Sequence, residues 1–364
     1  MKIREIISHI EEFAPVSYQE SYDNSGLIIG NSSSEVNSAL LTIDVTEEII
    51  DEAIAKKCGL IISHHPLIFD GIKRINGNNS VEKIIIKAIK NDIAIYSAHT
   101  NLDNVESGVS GKICEKLNLK NCKVLIPKEH NLLKLAVFVP QNHIEKVREA
   151  LFTAGAGNIG NYDKCSFSSS GEGSFRASEN ANPFVGEKNE IHFEAETKLE
   201  TIFPKHLKNK IIQALLSSHP YEEVAYDLFL LENQTSNIGA GMIGELENEV
   251  SESEFLEILK QEFKLSILRH SPLLNKKIKR IAVCGGSGST FLRKAISEKA
   301  DVYVSGDFKY HQFFEAENKI LITDIGHFES EQYSVEIFYD ILKKNIPNFA
   351  VNLSEINTNP INYY

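Results

Sequence analysis

Leu60-Ile-Ile-Ser-His-His-Pro66 is a short apolar run that stops at a polar end, and the same shape returns at Ile93-Ala-Ile-Tyr-Ser-Ala-His99. Runs of this length bounded by polar stops read as buried strands. A further strand, Ala39-Leu-Leu-Thr-Ile-Asp-Val45, precedes them. The charged stretch from Glu47 to Lys57 and residues 81–90 fill the two intervals as helices. Short apolar strands alternating with helices predict a parallel or mostly parallel sheet. Upstream, Ile3, Ile6, Ile7, Ile10 and Phe13 recur at helical spacing and predict an amphipathic helix.

The same rhythm resumes from residue 278. Lys279–Cys284 reads as a strand, 288–299 as a helix, and Asp301–Val304 as a strand ending at Ser305-Gly-Asp307. Helix-like residues 308–316 then lead to the strand Ile320–Thr323, which ends at Asp324-Ile-Gly-His327. The two outer segments share one pattern and predict an internal duplication. Between them the order changes to strand Lys134–Val139, helix 142–153, an extended stretch 165–203, helix 205–217 and strand Ala225–Leu231. That β-α-β-β-α-β order predicts a two-layer α+β module of ferredoxin-like kind. The Gly-rich stretch Gly239-Ala-Gly-Met-Ile-Gly244 marks the return to the outer rhythm. The expectation is an α/β outer domain of two similar halves, residues 1–124 with 246–364, around an inserted α+β domain at 125–245.

Composition narrows the function classes. At 364 residues the chain exceeds one typical domain, so two compact units are the default. The net charge of −12 argues against general nucleic-acid binding, which needs clustered Lys and Arg. The opening MKIREIISHIEEF carries charges throughout and does not read as a signal peptide. No apolar run approaches the roughly 18 residues of a membrane span. The 5 cysteines form no CxxC pair, so neither a disulfide framework nor a cysteine zinc site is expected. A cytoplasmic location fits these features.

In parallel α/β sheets ligands gather beyond the carboxyl ends of the strands. Three such ends carry His64-His65, then His99 with Asp103, then His327 with Glu331 four residues on. On a helix starting at His327, that spacing puts imidazole and carboxylate one turn apart on one face, able to grip a single cation. The blander alternative is a set of strand termini with hydrogen-bonded imidazoles and solvated acids.

The segments Ile61-Ile-Ser-His-His-Pro66, Ser97-Ala-His-Thr-Asn-Leu-Asp103, Ser305-Gly-Asp307 and Gly326-His-Phe-Glu-Ser-Glu331 resemble, in order, the NIF-three-like family of dinuclear-metal proteins. Members are catalogued as GTP cyclohydrolase I type 2 homologues. His219-Pro-Tyr-Glu-Glu223 resembles the signature of the inserted domain in longer members. The resemblance implies metal ligands His64, His65, Asp103, His327 and Glu331, shared between two divalent ions with a bridging carboxylate. Ligation by N and O alone suits Zn, Fe, Mn or Co. It further implies a homohexamer and hydrolysis of a nucleotide-like substrate, in which water activated by the ions attacks the purine ring. A two-metal phosphoesterase or amidohydrolase, and a non-enzymatic metal-binding scaffold, are the competing readings. His99 is then a catalytic candidate, as proton shuttle or ligand support, set against a plain hydrogen bond at a strand end.

Two weaker signals remain. The loop Cys284-Gly-Gly-Ser-Gly-Ser289 can cradle a phosphate on its N–H groups, but it matches neither phosphate-binding pattern in full, and a tight strand-to-helix turn is favoured. Asp307 and His311 are expected to line the same cleft, and His219 to be structural within the insertion.

Overall fold

A computed structural model describes residues 1–364. The chain divides into two compact units, Met1–Pro127 with Ser236–Tyr364, and Lys128–Thr235. The second unit is narrower than the 125–245 segment read from the sequence. The reason is that strands Lys120–Lys128 and Thr235–Ser251 lie side by side in a six-stranded sheet of the first unit.

The first unit holds two sheets. In one, Ser38–Thr42, Leu60–Ser63 and Ala94–Ser97 run parallel. Ala350–Leu353 extends it in parallel beside the first of these, and Gly26–Ile29 pairs antiparallel with the third. In the other sheet, Lys277–Val283, Val302–Ser305 and Leu321–Asp324 run parallel. Arg269–His270 pairs antiparallel with the third, and Thr235–Ser251 antiparallel with the first. Each sheet therefore has a parallel three-strand centre with an antiparallel strand beside its third member, and the two outer segments fold alike.

The central strands show no polar alternation because both faces are buried. In the first sheet Leu40, Ile61 and Ile95 pack into one cluster, while Ala39, Leu41, Leu60, Ile62 and Tyr96 pack into another. The second sheet repeats this, with Ile281, Val283 and Val302 on one side and Ala282, Tyr303 and Ile322 on the other. Helix Ile3–Phe13 buries Ile3, Ile6, Ile7 and Ile10 against Ile337, Phe338 and Ile341. Full burial of one such side chain is worth about 1.5–3 kcal/mol before entropy is counted. The crossover helices start where the sequence caps them. Thr46 accepts from the N–H of Ile49, and Asn79 from that of Glu82.

The second unit has strands Leu132–Pro140, Phe167–Arg176, Ile191–Pro204 and Tyr226–Leu231, with helices Ile144–Thr153 and Lys208–Ser218. Its antiparallel sheet runs in the spatial order second, third, first, fourth, which is the ferredoxin-like arrangement. His219 is buried there, with Nε2 3.0 Å from the Phe138 carbonyl and Nδ1 accepting from the Tyr221 N–H at 3.1 Å. Both ring nitrogens are spent, so the residue is structural. No helix of either unit is long and apolar enough to cross a membrane.

Candidate metal centre

Strand ends from both sheets of the first unit converge on one cluster. His64 and His65 follow strand Leu60–Ser63, and His99 follows strand Ala94–Ser97. Asp103 closes the single-turn helix Thr100–Asp103. His327 and Glu331 open and close the short helix His327–Glu331 after strand Leu321–Asp324. A histidine with an acid four residues on thus stands at the same topological place in both halves, after the third parallel strand.

The donor atoms form two groups joined at one side chain. His65 Nε2 lies 2.9 Å and His327 Nε2 3.1 Å from Glu331 Oε2, and the two ring nitrogens are 3.3 Å apart. His64 Nε2 lies 3.6 Å from Glu331 Oε1 and 3.7 Å from Asp103 Oδ1. Ligands bound about 2.1 Å from a common ion sit about 3.4 Å from one another in tetrahedral geometry, and both groups match that spacing. The fit has a second sign. His64 Nε2 and Asp103 Oδ1 are buried without any hydrogen-bond partner, an arrangement that costs about 1–3 kcal/mol per group when nothing fills it. Each trio of His, His and Glu or His, Asp and Glu can hold a metal ion, with one oxygen of Glu331 serving each. His99 forms a third possible group with His64 and His65.

The rings are aimed from behind. His64 Nδ1 is 2.9 Å from the Ala98 carbonyl, His65 Nδ1 is 2.7 Å from Asp44 Oδ1, and His327 Nδ1 is 2.7 Å from Asp307 Oδ2. Such partners fix the tautomer, leaving Nε2 free to face a metal. His99 is held the same way, with Nδ1 2.8 Å from Asp23 Oδ1. Asp23 also accepts from the Thr100 N–H at 2.9 Å and from the Ser25 hydroxyl at 3.0 Å, so its position is tightly set.

These contacts shift the protonation equilibria. Burial opposes a charge on His65, but Asp44 and Glu331 outweigh it and raise its pKa to about 9. His327, likewise desolvated but paired with Asp307 and Glu331, rises to about 11. Desolvation, reinforced by the nearby Glu331 carboxylate, pushes Asp103 up to about 7. Glu331 is itself desolvated, yet His64, His327 and His65 hold it well below the usual carboxylate range.

Sequence reading missed Asp23 and Asp44, and placed Asp307 only as cleft lining. Their signal is three-dimensional, since nothing local marks an acid that meets a histidine 76 residues away, as Asp23 meets His99. His311 instead lies exposed among Tyr310 and Phe314 and meets none of the donors. The Gly-rich loop is no open phosphate cradle. The Gly286 N–H donates to Ser330 Oγ at 2.8 Å and the Gly288 N–H to Ser305 Oγ at 3.0 Å. Gly286 makes room instead, because a Cβ there would lie 2.2 Å from Glu331 Oε1. Two aromatic rings flank the cluster: Phe69 stands 5.8 Å from the His99 ring and Tyr22 6.4 Å from Phe69. They are 47% and 65% exposed, respectively, so the wall they form is open to a ligand.

The chain resembles known proteins over its whole length. Residues 1–360 match the family described as Duf34/NIF3 (NGG1p interacting factor 3). A Bacillus subtilis protein named GTP cyclohydrolase 1 type 2 homolog is 40% identical over 365 residues, 99% of this chain and 98% of that one. A Staphylococcus epidermidis protein of the same name is 34% identical over 368 residues, 100% of each chain. Among solved structures, a Bacillus cereus protein related to NIF3 has a TM-score of 0.86 at 39% identity, covering 100% of this chain and 99% of the other. Staphylococcus aureus protein SA1388 has a TM-score of 0.78 at 30% identity, with the same coverage. By sequence and by fold, end to end, the chain belongs to the Duf34/NIF3 family.

Proposed function

We propose that the chain is a hydrolase dependent on two divalent metal ions and acting on a nucleotide-like substrate. The observation that carries this reading is the division of Glu331, whose two oxygens each complete a separate trio of donors. In this reading His64, Asp103 and Glu331 hold one ion, and His65, His327 and Glu331 hold the other. Such ions supply Lewis acidity and lower the pKa of water toward neutrality.

The chain's own residues then have distinct tasks. Asp44 and Asp307 orient the rings of His65 and His327. His99, steadied by Asp23, keeps a ring nitrogen within 4.8 Å of those of His64 and His65 and is placed to carry a proton. Phe69 and Tyr22 offer faces on which a purine can stack. The relatives' name, GTP cyclohydrolase 1 type 2 homolog, agrees with such a substrate.

The test is elemental analysis of the purified protein together with formate release from GTP, using wild type, Glu331→Ala and His64→Ala. The expected result is two ions per wild-type chain, marked metal loss in both variants, and formate released by the wild type alone. Wild type that carries two ions but releases no formate would remove the cyclohydrolase reaction. Turnover of a phosphodiester or cyclic amide would then reassign the substrate class, and no turnover at all would leave a metal-binding scaffold.

A further inference from the structure

Past strand Ala350–Leu353 the chain runs on as an irregular segment. From Leu353 onward its residues are exposed except Ser354, Thr358 and Asn359, which are half-buried. Each of these three is held by a carboxylate. Ser354 Oγ donates to Glu52 Oε2 at 2.6 Å, Thr358 Oγ1 to Asp44 Oδ2 at 2.7 Å, and Asn359 Nδ2 to Glu329 Oε1 at 3.0 Å. The first contact is an anchor, strengthened by the Glu355 N–H on Glu52 at 3.0 Å and by Lys56 bridging to Glu355 at 3.0 Å.

The other two contacts reach the candidate metal centre. Asp44 divides its oxygens, Oδ2 taking the Thr358 hydroxyl while Oδ1 meets His65 Nδ1 at 2.7 Å. Glu329 lies between His327 and Glu331 on the helix that carries both. The segment therefore joins a support of the first half to the ligand helix of the second. It is also pre-bent for the task. The Asn359 N–H donates to Asn357 Oδ1 and the Ile361 N–H to Asn359 Oδ1, each at 3.0 Å, giving two successive side-chain turns. Pro360 removes further backbone freedom from the stretch.

We infer that segment 354–360 is a structural part of the metal centre, with Thr358 positioning His65 through Asp44, so that docking of the segment and metal binding reinforce each other. This rests on the two-metal reading of the site. A lone carboxylate with one oxygen free can rotate; a hydroxyl on its second oxygen fixes the plane in which the first meets the imidazole. Groups behind metal-bound histidines commonly contribute about 10–100-fold in metal affinity. Coupling between two binding events is reciprocal, so whatever factor the docked segment adds to metal affinity, the metal adds to docking.

The test measures Zn2+ affinity by competition with a chelating dye, for wild type, Thr358→Ala, Thr358→Ser and a chain ending at Leu353. Thr358→Ala should bind Zn2+ about 10-fold more weakly, Thr358→Ser should match wild type because it keeps the hydroxyl, and the shortened chain should be at least as weak as Thr358→Ala. Hydrogen exchange supplies a second readout: backbone amides of residues 354–361 should exchange more slowly with Zn2+ in wild type, and without that change in Glu331→Ala. Thr358→Ala and the shortened chain binding as tightly as a Zn2+-competent wild type would overturn the inference while leaving the metal centre standing. Wild type that binds none of Zn2+, Fe2+, Mn2+ and Co2+ would instead overturn the metal centre and, with it, this role.

Discussion

Replacing Gly286 with alanine tests whether the Gly-rich loop exists to admit Glu331. Gly286 has φ +60°, and a Cβ built there lies 2.2 Å from Glu331 Oε1, 3.1 Å from its Cδ and 3.3 Å from His327 Cε1. Real Cβ atoms stay beyond 3.0 Å, so the carboxylate oxygen must retreat by about 0.8 Å. Metal–ligand bonds tolerate about 0.2 Å. Displacement of that size breaks the contact of Oε1 with the ion it would share with His64 and Asp103. The variant should lose at least one ion per chain and bind Zn2+ at least about 10-fold more weakly, comparable to removal of a supporting group. Alanine at positive φ also costs about 1–2 kcal/mol in the backbone, roughly 2–4 °C in Tm for each kcal/mol in a domain of about 250 residues. Gly160→Ala separates the two effects, because Gly160 has φ +56° and nothing within 4 Å of its Cβ position. It lies in the other unit, Lys128–Thr235, so its backbone cost should appear in the unfolding of that unit while metal content stays untouched. Elemental analysis, Zn2+ titration and thermal unfolding of both variants read this out. Full metal content and wild-type affinity in Gly286→Ala would refute the assignment of the loop.

Asp307→Asn, which unties the His327 ring from a carboxylate at 2.7 Å, should weaken Zn2+ binding about 10–100-fold in a chelator competition; equal affinity would deny the residue a role. Metal binding should also depend steeply on pH. In the metal-free protein His65, at about 9, and His327, at about 11, are both protonated at neutral pH. Binding must expel both protons, so affinity should rise about a hundredfold per pH unit between roughly pH 7.5 and 8.5, and affinities equal at both values would contradict the pairing. Phe69→Ala should raise KM for a purine nucleotide with metal content unchanged, since Phe69 touches His99 but offers no donor; an unmoved KM would take the base-stacking role from that ring.

What the sequence disclosed about this site was what chain order can encode. The apolar runs at Leu60 and Ile93 stop where the strands stop, so the residues just past them are legible as strand-end residues from chain order alone. The spacing of His327 and Glu331 becomes a 3.1 Å contact because a helix does begin at His327. The antiparallel strands Gly26–Ile29 and Arg269–His270 were not read: the first is a three-residue apolar run, Leu27-Ile-Ile29, set inside a loop rich in Ser, Asp and Gly, and the second is two exposed residues. The supporting acids escaped for another reason. Asp44 meets His65 across 21 residues and Thr358 across 314, contacts set by the packing of strands and not by any local period. The glycine loop misled because a turn that receives a phosphate and a turn that receives a carboxylate need the same small residue. Only the serines on its N–H groups, Ser330 and Ser305, distinguish the two.

The division of Glu331 between two donor groups also says something about time. Its partners His64 and His65 leave the ribosome early, whereas Glu331 follows more than 260 residues later, after the whole Lys128–Thr235 unit has been made. A nascent chain can therefore form the first sheet's central strands, and even fold the inserted unit, while neither donor trio is complete. On the two-metal reading, neither ion can be captured in full until Glu331 has been made, after the first sheet's central strands and the inserted unit are already in place.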